Sequence, residues 1–240
     1  MGKRLIACVL SIIYLLTPTK IIKSNQYTIY IPEEPDSIII YYNSNGTLPH
    51  SKTEDPKHPF NFQEGIADKL LKNNKNSIII VTYQYSPKLV KKVDKLIKEY
   101  DLRDVIISGW SAGGNNAVKA AAELANNKRN IQLLLIDAND TNQLSMRYFK
   151  TLAKYNIPIH YTSNLLSQNK MKVLKKIREA KLDIFFYKLK IPKDFSGSNH
   201  IYCRNCAVNY DLYGYLLGAH GIGKHYKVGY YSYKKNKPIF

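Results

Sequence analysis

The hydrophobic positions of this chain fall into two kinds of run. The first kind is short, continuous and rich in β-branched residues: 37–42 (SIIIYY), 77–83 (SIIIVTY), 105–108 (VIIS), 131–136 (IQLLLI), 157–162 (IPIHYT) and 182–189 (LDIFFYKL). Runs of this length without polar alternation predict strands buried on both faces of a sheet. An earlier stretch, 26–31 (QYTIYI), alternates as an edge strand does, and the polar segment 32–36 ends it. The second kind repeats at helical spacing. Leu89, Val90, Val93, Leu96, Ile97 and Tyr100 recur with lysines between them, behind a Pro87 that sits where a helix starts. Further helices are expected over 63–73, 115–126, 141–155, 170–181 and 207–217. Strands alternating with helices, with crossovers long enough for parallel pairing, require a parallel sheet covered on both faces. With 240 residues, a single α/β domain has a sizeable core and leaves no room for a second full one.

The strand at 105–108 runs without a spacer into Gly109-Trp110-Ser111-Ala112-Gly113-Gly114, a G-x-S-x-G pattern with an alanine-rich helix behind it. A serine on so sharp a turn has a strained backbone, and the residues two positions to either side must lack bulk for the turn to close. The turn lifts the Ser111 hydroxyl clear of the sheet edge. The helix that follows aims its free backbone N–H groups at the same spot, so the Ala112 N–H can stabilise negative charge developing on a substrate oxygen.

This stretch resembles the nucleophile elbow of the α/β-hydrolase superfamily, and the resemblance covers residues 37–218 with no insertion long enough for a helical lid. It implies an α/β-hydrolase fold, a mostly parallel central sheet with helices on both faces and no lid domain. A serine hydroxyl needs a base to take its proton and a third group to orient that base, and the superfamily order is Ser, acid, His. His160 lies within a strand, as a half-buried structural histidine would, and His220 and His225 lie in a glycine-broken C-terminal segment. His200 falls in the loop after the last strand and takes the base's role by resemblance. His50 and His58 precede the serine and read as solvated loop residues. Superfamily acids commonly follow the next-to-last strand, which here ends in Ser163-Asn164 without a carboxylate. Some members place the acid one strand earlier, where Asp137 and Asp140 stand. Asp137 terminates its strand directly, whereas Asp140 precedes the helix expected at Thr141 and reads equally as its N-cap. Asp137 is therefore the expected acid, and Asp137→Asn is expected to lower turnover with little change in stability. The loop Asn43-Ser44-Asn45-Gly46-Thr47 reads from its residues as a polar turn; by resemblance, the Ser44 backbone N–H joins that of Ala112 in an oxyanion hole. The implied activity is a serine hydrolase cleaving a small-molecule or polymer carboxylic ester through an acyl-enzyme, with no metal or other cofactor. A peptidase or acyltransferase would use the same residues, and a non-catalytic surface-binding protein would keep the same fold.

Charge and the N-terminus add a compartment. Lys+Arg 36 against Asp+Glu 18 give a formal net charge of +18. The lysines are spread over every helix, which argues against nucleic acid as the partner and describes either a solvated cationic surface or attraction to an anionic cell envelope. Lys3 and Arg4 precede an uncharged apolar run over 5–16, with the n-region and h-region of a secretory signal and too short for a comfortable membrane span. Residues 1–24 are accordingly expected to be a signal peptide or membrane anchor and 25–240 the hydrolase domain, secreted or membrane-anchored on the extracytoplasmic side. No A-x-A-like cleavage site is evident, so both fates stay open. Cys203 and Cys206, with His220 and His225, match the spacing of a C2H2 zinc site, but Gly221-Ile222-Gly223 would keep the two histidines off one helical face. A local disulfide is the expected state of an exported chain, with two free buried thiols as the alternative.

Overall fold

The computed structural model describes residues 20–44, 63–139, 144–163, 168–189 and 203–238, except positions 83, 128, 205, 209, 234 and 236. Their strands are β1 (Lys20–Lys23), β2 (Tyr27–Ile31), β3 (Ser37–Tyr42), β4 (Ser77–Thr82), β5 (Asp104–Trp110), β6 (Asn130–Ile136), β7 (Ile159–Thr162), β8 (Asp183–Leu189), β9 (Tyr226–Ser232) and β10 (Lys237–Pro238). The helices are α1 (Gln63–Asn73), α2 (Pro87–Glu99), α3 (Gly113–Leu124), α4 (Met146–Lys154), α5 (Gln168–Glu179) and α6 (Leu212–Leu216). One sheet holds all ten strands in the order β1-β2-β4-β3-β5-β6-β7-β8-β9-β10. From β4 to β8 every pairing is parallel. At the two ends, β1, β2, β9 and β10 pair antiparallel with their neighbours.

The continuous apolar runs serve both faces, because successive strand residues point to opposite sides. Ile38 and Ile40 join a core with α2, α3, α4 and α5, while Ile39 and Tyr41 join a second core with α1, α6 and the helical residues around Cys203 and Cys206. α2 buries Leu89, Val90, Val93, Leu96 and Ile97 on one stripe. Each such side chain contributes about 1.5–3 kcal/mol of transfer free energy, so the tertiary contact, more than helix propensity, holds this lysine-rich helix in place.

Four elements differ from what the pattern of residues predicts, among them the helix expected over 207–217, which is confined to Leu212–Leu216 behind separate helical residues at 203, 204 and 206–208. β1 takes Lys20–Lys23 into the sheet beside β2, so the folded unit begins upstream of the boundary expected at residue 25, and 26–31 is not the edge. The apolar run over 5–16 lies outside the described residues. α4 begins at Met146, where the Ser145 hydroxyl accepts from the Arg147 N–H at 3.3 Å, and not at Thr141. A capping serine directly before an amphipathic turn outcompetes the start further upstream. The glycine-broken C-terminus returns as β9, which extends the sheet past β8. No helix among the described residues is long and apolar enough to cross a membrane.

Candidate active site

Ser111 stands at the carboxyl end of β5 with φ 54°, a left-handed conformation costing a non-glycine residue roughly 1–2 kcal/mol. Several contacts hold it there. Its N–H donates to Ile136 O at 3.0 Å, and its carbonyl accepts from Gly114 N at 3.1 Å and Asn139 N at 3.2 Å. The glycines permit the close turn: a Cβ on Gly109 would lie 2.4 Å from Gly113 O, and one on Gly114 would lie 2.5 Å from the Ala138 Cβ. Both expected roles for the flanking glycines are met, and Gly114 adds a third close approach, to the neighbouring strand end.

Ala112 opens α3 in right-handed helical conformation. A Cβ on Gly113 would lie 2.3 Å from Tyr42 O and 2.5 Å from Asn43 O, so the loop leaving β3 packs directly on the elbow. The Asn43 N–H is committed to Thr82 O at 2.7 Å, which makes Ser44 the first residue of this loop beyond the ladder. Ser44 is half-buried and directly follows Asn43, whose carbonyl lies against Gly113. Asn45 lies outside the described residues.

Asp137 ends β6 as Ser111 ends β5, on the next strand in parallel register, with φ 48° and only 1% of its surface exposed. Its N–H donates to Thr162 O at 2.7 Å. Its carboxylate accepts from the Ser163 hydroxyl at 2.5 Å and pairs with the Lys170 ammonium, also at 2.5 Å. The sequence placed Asp137 at the end of its strand but pointed to neither Ser163 nor Lys170 beside it. Ser163 occupies the position after β7 where the chain has no carboxylate, and there it serves the aspartate of β6. Lys170 is one lysine among many in the sequence, and only the docking of α5 buries it. Tyr161 completes the layer by donating to Ala138 O at 3.2 Å; its phenol is held above its ordinary pKa, first by burial and then by the Asp137 charge.

His200 and Asp140 lie outside the described residues, as do His50 and His58. The described residues resume at Cys203, which is buried in the same core cluster as Trp110 and Ile136. Cys203 and Cys206 are not joined in a disulfide and both are buried, which corrects the expected bond: the helical stretch they share packs onto the sheet and keeps both thiols in the core. Between them, the Arg204 guanidinium lies over the Trp110 ring at 4.6 Å. The two histidines of the zinc pattern point elsewhere. His220 Nε2 pairs with Asp211 at 3.0 Å and its Nδ1 donates to Gly221 O, while His225 stacks on Tyr210. His160 is buried outright, sharing a hydrogen bond of 2.8 Å with the Tyr187 hydroxyl and stacking on Phe185.

A cleft of about 820 Å³ lies at the opposite end of the sheet, where β3, β4 and β5 begin, against Ser37, Ser77 and Asp104. It is remote from Ser111. Among the segments outside the described residues, 45–62, 140–143, 164–167 and 190–202 follow the carboxyl ends of β3, β6, β7 and β8.

The sequence matches no family model and no curated protein. Solved structures match it in fold. Brefeldin A esterase, a bacterial homologue of human hormone-sensitive lipase, aligns with a TM-score of 0.50 and 11% identity over 83% of this chain and 75% of that one. The esterase domain of a Rhodothermus marinus protein aligns with a TM-score of 0.51 and 8% identity, over 82% and 98%. Strand order, elbow and these likenesses together give the chain the α/β-hydrolase fold.

Proposed function

We propose that the protein is a serine hydrolase that cleaves a carboxylic ester through an acyl-enzyme. The observation that carries the proposal is the left-handed Ser111 on a glycine-walled elbow, because backbone strain of this kind persists where a site needs the residue aimed. Ser111 Oγ attacks the ester carbonyl while His200 takes its proton, and Asp137 orients the imidazole and balances its charge. The Ala112 and Ser44 N–H groups receive the oxyanion. His200 then gives the proton to the departing alcohol, and a water deprotonated by His200 releases the acid and restores Ser111.

The nearness of the β3 loop to Gly113, and of Asp137 to Ser111, supports this assignment. The esterase likenesses agree with the reaction class. The leader-like run over 5–16 and the +18 charge support an extracytoplasmic enzyme, secreted or anchored, working near an anionic surface. A panel of p-nitrophenyl esters of graded acyl length tests the reaction. The full chain turns over at least one member, and Ser111→Ala and His200→Ala each lose that activity by several orders of magnitude while staying folded. Full activity in Ser111→Ala ends the proposal.

A further inference from the structure

Lysine is almost never fully buried unless paired. Lys170 has a side chain only 10% exposed, and its partner Asp137 only 2%. The ammonium also sits in the first turn of α5, where the positive end of the helix dipole disfavours a cation and no acidic residue of that turn offsets it. Two costs, burial and dipole, are therefore accepted to bring one positive charge to the carboxylate beside Ser111.

We propose that Lys170 is a positioning residue that keeps Asp137 ionised and aimed, and thereby sets the pH at which the site becomes active. The inference deepens the hydrolase reading and rests on it for its kinetic form. A carboxylate in this much protein would be driven toward its neutral form by desolvation. The ammonium at 2.5 Å opposes that, and the Ser163 hydroxyl fixes the same oxygen, Oδ1, from the β7 side. From β7, the Tyr161 phenol donates to Ala138 O, and burial, then the charges of Asp137 and Cys203, hold its pKa up; from β5 comes the Ser111 turn. Lys170 therefore partly balances the charge that Asp137 presents to the base. Its removal has two effects of one sign. An unpaired Asp137 binds a proton more readily, and an unbalanced Asp137 carboxylate makes the His200 imidazolium harder to deprotonate. Both move the acid limb of the rate profile to higher pH.

The test is the pH dependence of kcat/KM on the best p-nitrophenyl ester for the full chain and its Lys170→Met, Lys170→Gln and Lys170→Arg variants. The Met and Gln variants shift the acid limb upward by about 1 pH unit or more, the size of effect an adjacent opposite charge exerts. The Arg variant, which keeps the charge, leaves the limb where the wild type has it. In an Asp137→Asn background, Lys170→Gln adds a smaller shift, since only the direct effect of the ammonium charge on the base remains. Gln keeps a hydrogen-bond donor at the site, so it decides the question if the Met variant fails to fold. An unmoved limb in folded Lys170→Gln, or an equal shift with and without Asp137, overturns the inference. Carbon NMR titration of the Asp137 carboxyl reads the same clamp without catalysis: its pKa rises in Lys170→Gln, and an unchanged value overturns the inference. An inactive wild type would instead refute the hydrolase reading.

Discussion

Ser111 and Asp137 end neighbouring parallel strands in the same left-handed backbone conformation, φ 54° and 48°. They are stitched together: Ser111 N donates to the residue before Asp137, and Asn139 N donates back to Ser111 O. Whatever the sheet does to one strand end, it does to the other, so the hydroxyl and the carboxylate share one rigid frame.

Asp137→Asn is expected to lower turnover by about 10³ to 10⁴, as loss of the orienting acid does in serine hydrolases. The structure adds a cost that the sequence did not reveal. Asparagine tolerates the left-handed backbone, but it leaves the buried Lys170 without its counter-charge, and breaking such a pair costs about 3–5 kcal/mol. Urea unfolding beside steady-state kinetics checks both. Asp140→Asn leaves turnover near wild type, and the reverse ranking would move the acid to Asp140.

Gly113→Ala is expected to destabilise the fold by at least about 3 kcal/mol, the upper end of overpacking costs, because its Cβ would sit 2.3 Å from a backbone oxygen of β3. Gly221→Ala meets nothing within 4 Å and serves as the control. Denaturant midpoints of the two variants separate them; equal midpoints would mean that the β3 loop does not pack on the elbow.

His160 is held down to a pKa of about 4 by burial, against 6.5 when free. The unfolded chain therefore binds the extra proton first. Stability from this residue is complete above pH 6.5 and is lost as pH falls toward 4, by roughly 3 kcal/mol in all. His220 has the opposite sign: its hydrogen bonds to Gly221 O and Asp211 raise its pKa, so its contribution is present at low pH and fades as pH rises through the raised value. Unfolding of wild type and His160→Gln between pH 4 and 7 isolates the contribution of the buried imidazole, and parallel curves would refute it.

The thiols of Cys203 and Cys206 are expected to resist a disulfide reagent in the native protein and to react once it is denatured, since both are buried. Peptide mapping after alkylation identifies them, and rapid native labelling at either position would contradict the packing of this helical stretch.

The central strands were legible because runs such as Ile38-Ile39-Ile40 can satisfy both cores only in a sheet covered on both faces. α2 was legible from its single apolar stripe. β1 was not, because KIIK is short and directly follows a leader-like run. Nor was β9, whose residues show no regular alternation of burial near the edge of the sheet. The positions of Ser111 and Asp137 could be read from sequence because each follows a strand without a spacer, and a strand end fixes its next residue. Lys170 and Ser163 could not, since their roles arise where α5 and β7 meet a third element.

The most direct measurement of the central claim is the intact mass of the full chain after reaction with a fluorophosphonate, followed by peptide mapping. The account predicts one adduct, on Ser111, formed before any other residue reacts, abolished in Ser111→Ala and strongly slowed in His200→Ala. No adduct on the folded wild type, or an adduct that survives Ser111→Ala, would contradict it.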